Sequence, residues 1–151
     1  METPVTEATP PSAASLPAAS RQLQVIATTD AGTRAALLEA RHLARRLRFA
    51  DIVLIVPRIA SSIASLDAPE TEAATIEKYR GLASVSGVDA TVRLCVCETV
   101  RDVVQWMVPR GCTVVLGGQR RWWWPTPEQR IADLVKRSGH RTVFAEASGL
   151  R

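Results

Sequence analysis

From Leu23 onward the chain repeats one alternation, a short β-branched apolar run followed by a longer stretch with apolar positions at helical spacing. "LQVIAT" precedes "GTRAALLEARHLARRLR", "DIVLIVP" precedes "ETEAATIEKYRGLASV", "ATVRLCVC" precedes "TVRDVVQWMV", "TVVLGG" precedes "PEQRIADLVKRS", and "TVFAEA" closes the series. The pattern predicts five strands and four helices in turn. "DIVLIVP" and "TVVLGG" are apolar on both faces, as central strands of a parallel sheet are when helices cover both sides. The fold class that follows is a doubly wound α/β sandwich. In such sheets ligands settle beyond the carboxyl ends of the strands where strand order reverses, so the loops "TTDAGT" and "GGQRRWWWPTPE" are the ones to inspect.

Local signals fix the helix ends. In the first helix Ala36, Ala40, Leu43, Ala44 and Leu47 share a face, with Arg41, Arg45 and Arg48 opposite as a solvated stripe. Asp67 stands three residues before Glu70, Thr99 three before Asp102, and Thr126 three before Gln129 with Pro127 at the first helical position; each reads as a helix start. Gly87 and Gly139 are placed to end helices two and four in the left-handed conformation, and Pro109 stops helix three.

Residues 1–21 are mostly Pro, Ala, Ser and Thr, with two Glu and almost no large apolar side chain, a composition that cannot bury enough surface to offset ordering. They are expected to be a disordered tail before a domain over 22–148, with 149–151 as a short C-terminal tail. The 151 residues are 46% hydrophobic and 23% charged, with a formal net charge of +4. That small excess is spread along helix faces, which makes nucleic-acid binding a minor alternative. No stretch reaches the roughly 18 apolar residues of a membrane span, the start lacks the pattern of a secretory leader, and three cysteines do not make a disulfide framework. The expected location is the cytoplasm.

"VIATTDAGTRAALLEARHLARRLRFADIVLIVPRI" resembles the opening half of universal stress protein domains: a strand ending in Asp, a turn of small residues, an Ala- and Leu-rich helix and a second apolar strand. "TVVLGGQRRWWWPTPEQRIADLVKRSGHRTVFAEA" resembles their closing half, and its Arg- and Trp-bearing loop resembles the stress-protein domain of potassium-sensing histidine kinases. The resemblance spans about Leu23 to Ala147. It implies a five-stranded parallel sheet in the order 3-2-1-4-5, which would bring Asp30 near Gly117, and a homodimer through the last strand, built on Val143 and Phe144 with Glu146 at the rim.

Many members of that family bind ATP through Gly-x2-Gly-x9-Gly followed by Ser or Thr. Here Gly117 fits the first glycine, but the second falls on Arg120 and the third on Arg130, or on Gln129 if the loop is one residue shorter. A side chain at position 120 would obstruct close approach of the backbone to phosphate, even with Gly118 lending flexibility. Thr126 caps its own helix, Pro127 lacks an N–H, and Glu128 puts a negative charge in the first turn. Arg120, Arg121 and Arg130 still offer forked cationic donors, so an ATP-binding regulator using them is the alternative. By resemblance Asp30 would contact the nucleoside and Val56, ending strand two, would line the base; read locally, Asp30 is the cap of the first helix.

Trp122, Trp123 and Trp124 bring roughly 150–250 Å² each, more together than the largest apolar patch of a typical monomer, about 300–600 Å². Some must be covered, either by folding back over the mouth between strands one and four or at a subunit or partner contact. A membrane-surface role ranks last, because no amphipathic helix accompanies them.

Cys95 and Cys97 share one face of a strand, but zinc takes four ligands and no spacing assembles Cys112, His42 and His140 with them. They read as free thiols beneath a helix, with no metal. His140 reads as a surface residue beside the end of helix four. No nucleophile elbow, His-Glu-x-x-His or Walker loop occurs, so no catalytic residues are assigned and the chain is not read as an enzyme. The resulting expectation is a stress-protein-like regulatory domain, dimeric, without the usual ATP loop or any other cofactor.

Overall fold

The computed structural model describes residues 22–48, 51–59, 72–106, 108, 112–120 and 125–147. The two tails, the Asp67–Glu70 helix start, Pro109, Arg121 and the three consecutive tryptophans lie outside the described residues. Strands β1 (Gln22–Ile26), β2 (Asp51–Ile59), β3 (Ala90–Cys97), β4 (Thr113–Gly118) and β5 (Arg141–Glu146) alternate with helices α1 (Asp30–Leu47), α2 (Glu72–Val85), α3 (Val100–Trp106) and α4 (Pro127–Arg137). All pairings are parallel, and the order is β3-β2-β1-β4-β5. At the centre, Val25 of β1 stands between Leu54 of β2 and Val115 of β4.

Crossover handedness explains the layers. The path β1 to β2 to β3 steps one way along the sheet and β3 to β4 to β5 steps the other, so right-handed connections put α1 and α2 on one face and α3 and α4 on the opposite one. Leu23, Val25, Leu54, Val56 and Val115 pack under Ala36, Leu37 and Ala40 of α1 and Ala83 of α2. Ile26, Val53, Ile55, Val114 and Leu116 pack under Val103 and Val104 of α3 and Val135 of α4. The two central strands are therefore buried on both faces, as their uninterrupted apolar sequence requires.

Two local expectations are corrected. The inward face of α1 is carried by Thr33, Ala36, Leu37 and Ala40, while Leu47 is 53% exposed at the end of the helix. Strand β2 does not end at Val56 but runs on to Ile59, because β3 stays paired with it as far as Cys97. The left-handed glycines fall where expected, Gly87 at φ 74° and Gly139 at φ 89°.

Candidate functional site

Strand order reverses between β1 and β4, so the crevice beyond their carboxyl ends is the place where this architecture takes a ligand. At the edge of that crevice the main chains of α1 and β4 are in close contact. A Cβ built on Gly117 would overlap the carbonyl of Gly32, and one built on Gly32 would overlap the carbonyl oxygen of Gly117. The first turn of α1 thus lies directly on the end of β4. The Thr28 hydroxyl donates to the Gly117 carbonyl at 2.7 Å, the Thr33 hydroxyl accepts from the Thr28 N–H at 2.9 Å, and the Thr29 hydroxyl accepts from the Gly32 N–H at 3.0 Å.

Thr29, not Asp30, is consequently the cap of α1. The cap needs an extended residue whose oxygen reaches the N–H three residues on, and Thr29 has φ −72° and ψ 166°. Asp30 is the first helical residue, and its carboxylate turns toward α2, 3.5 Å from Lys78 Nζ, in an exposed pair. Such a pair contributes about 0–1 kcal/mol and is easily exchanged for another partner. Val56 is 3% exposed in the core beneath α1 and α2, rather than open at the mouth.

On the other side of β4 the start of α4 satisfies itself. The Thr126 hydroxyl accepts from the Gln129 N–H at 3.3 Å, and Gln129 Oε1 accepts from the Thr126 N–H at 2.8 Å. The same hydroxyl donates to the Gln119 carbonyl at 2.8 Å, tying the helix to the strand exit. A Cβ on Gly118 would meet Cγ of Glu128 at 2.5 Å, so this acidic side chain lies over the second glycine. With Pro127 lacking an N–H, few donors at this helix start remain for an anion.

Arg120 is exposed and stands with its guanidinium 4.9 Å from the centre of the Phe144 ring, a cation–π contact worth about 0.5–1 kcal/mol at the surface. Arg130 is an exposed residue of α4, its N–H bonded to the Thr126 carbonyl. The structure thus gathers Gly117, Gly118 and Arg120 at the exit of β4, and the register sets Val56 of β2 level with Gly117 across β1. Val143 and Phe144 are half-buried on β5, which is an edge of the sheet, and Glu146 is exposed. Beside that edge, a groove of about 500 Å³ is lined by Ala31, Arg34, Leu38 and His42 of α1 together with Phe144 and Glu146.

Two features escaped the sequence. Gly32, in the turn after β1, meets Gly117 across the layers. His140, expected at the surface, is buried, with Nδ1 3.9 Å from Cys112 Sγ. Burial holds its imidazole below the ordinary pKa of 6.5 and pushes the Cys112 thiol up to about 11, so the pair is neutral and packs as such. A His beside a Cys in separate parts of the chain carries no sequence signal of contact.

No family model matches the sequence, and neither does any curated protein. Among solved structures the chain is similar to a universal stress protein in complex with cAMP, with a TM-score of 0.55 and 14% identity over 84% of this chain and 97% of that one. At this identity the likeness is one of fold. The architecture is the Rossmann-like one of universal stress proteins, with its five parallel strands in the same order. Among the described residues no helix is long and apolar enough to cross a membrane.

Proposed function

We propose that the chain is a non-enzymatic, cytoplasmic regulatory domain of the universal stress protein type, which acts by protein contact as a homodimer paired along β5 and does not use a glycine loop to hold ATP. One observation carries this reading: bare main chain at Gly117 is consumed by contact with Gly32, so the surface that would face phosphate already faces helix α1. The self-capped start of α4 and the side chain of Glu128 over Gly118 oppose an anion in the same place. The edge position of β5 supports the dimer, since its unpaired backbone groups suit a second copy. In this reading the Arg- and Trp-bearing loop, likened to that of the potassium-sensing kinases, is a contact element.

Isothermal titration with ATP, AMP and cAMP tests the proposal, and no saturable heat at micromolar ligand is expected. The second reading is an adenine-nucleotide regulator in which Arg120, Arg121 and Arg130 replace the glycines, favoured by the cAMP complex of the similar structure. Micromolar affinity that Arg120→Ala weakens by about tenfold, roughly 1.4 kcal/mol, would establish it instead. Arg120 is the informative site because its side chain is exposed, whereas substituting Gly117 would disturb the fold as well as any ligand. Retention of an oligonucleotide that falls steeply with salt would point to nucleic acid.

A further inference from the structure

Zinc takes four ligands, and among the described residues no group of three His, Cys, Asp or Glu is placed to hold a metal ion. A two-coordinate ion needs no third ligand. Cys95 and Cys97 lie on the edge strand β3 with their thiols on the face that packs against α3. Cys97 is buried, its Sγ 4.0 Å from the Arg58 carbonyl oxygen, and Cys95 is half-buried two residues earlier. Both are free.

Strand geometry decides what such a pair can do. Residues two apart on a strand are separated by about 6.6 Å, with parallel Cα–Cβ bonds. A disulfide requires Cβ atoms about 3.5–4.5 Å apart, so these thiols cannot be oxidised against each other without breaking the strand. A single ion between them meets no such obstacle: with metal–thiolate bonds of about 2.3 Å, a linear S–M–S unit spans about 4.6 Å, which side chains leaning together along the strand can meet. Soft thiolates select soft cations, and the one that favours two ligands is monovalent copper.

We infer that Cys95 and Cys97 form a two-coordinate site for a soft monovalent cation, Cu(I) in class, at the β3 edge beneath α3. Binding breaks two S–H bonds and forms two S–Cu bonds; two protons leave to solvent and copper stays in the +1 state, so the bound unit carries one negative charge. Arg93, exposed two residues earlier on the same face of the strand, partly offsets that charge, while the carboxylate of Asp102 beside Cys97 opposes it. Half-exposed Cys95 supplies the entry ligand and buried Cys97 the retaining one.

The test is an anaerobic titration of the full chain with Cu(I) against a chromophoric Cu(I) chelator, with stoichiometry read by native mass spectrometry. One Cu(I) per chain is expected, held at least about tenfold less tightly in Cys95→Ser and in Cys97→Ala and unchanged in Cys112→Ser. Cys95→Ser changes a half-buried position and leaves the core intact, so it decides the matter even if Cys97→Ala unfolds, which circular dichroism of the metal-free variants would reveal. The inference is overturned if the wild type yields all its copper to the chelator, or if its retention survives Cys95→Ser.

Discussion

Gly117 and Gly32 face each other where α1 meets β4, and neither has a positive φ, so close approach alone explains them. Gly117→Ala and Gly32→Ala each place a methyl group onto backbone that cannot swing away, and each is expected to cost about 3 kcal/mol, at the upper end of overpacking. Gly118→Ala meets Glu128, whose Cγ can rotate away while its Cβ cannot, and should cost about 1–2 kcal/mol, less than the other two. Urea midpoints of the three variants check the order. His140 and Cys112 give a second residue-scale prediction. The unfolded imidazole takes up a proton below 6.5 while the buried one resists, so stability is intact above 6.5 and falls as pH drops below it. The thiol, raised from 9.0 to about 11, holds its proton in the fold, so stability is intact below 9.0 and is lost as pH climbs toward 11. A plateau between those limits is expected, and His140→Gln should flatten its acid shoulder.

Helices α1, α3 and α4 begin where short polar residues can turn back on them, and α1, α2 and α4 end where the chain tolerates the left-handed region. Thr126 has the largest task, capping α4 while holding the Gln119 carbonyl at the exit of β4. Thr126→Ala should lower stability by about 1 kcal/mol, the typical loss of a cap, and hydrogen exchange should quicken in the first turn of α4 before the rest. Asp102 similarly accepts from the Thr99 N–H at 3.1 Å at the start of α3. The end of α1 is less predictable, because Arg48 takes the left-handed conformation, φ 56°, that glycine usually supplies. Arg48→Gly removes that strain and should leave stability unchanged or slightly raised, measured by thermal unfolding.

At the scale of the whole molecule the sheet has two edges with different chemistry, a dithiol on β3 and an aromatic and acidic rim on β5. If β5 pairs with a second copy, sedimentation should show a dimer at micromolar concentration. A monomeric wild type at micromolar concentration would remove the dimer from the proposal. Tryptophan emission in a chain carrying Trp106→Phe then distinguishes self-packing of the three loop indoles, which gives blue-shifted emission at all concentrations, from a subunit contact, which shifts on dilution.

The order of strands and helices was readable from the sequence by itself, because period and capping are local: a strand buried on both faces must be apolar throughout, and Thr126 with Gln129 closes a helix within four residues. The fold class follows from that alternation, and the strand order came from likeness to a family. What only the tertiary structure decided is which atoms meet across layers. Gly117 belongs to a phosphate motif when read along the chain and to a helix contact when read in space, since its partner Gly32 lies in another element. His140 follows the end of a helix in sequence and is buried against Cys112, reached through the parallel pairing of β4 with β5. Contacts between distant segments are set by packing, and packing leaves no periodic trace in a single sequence.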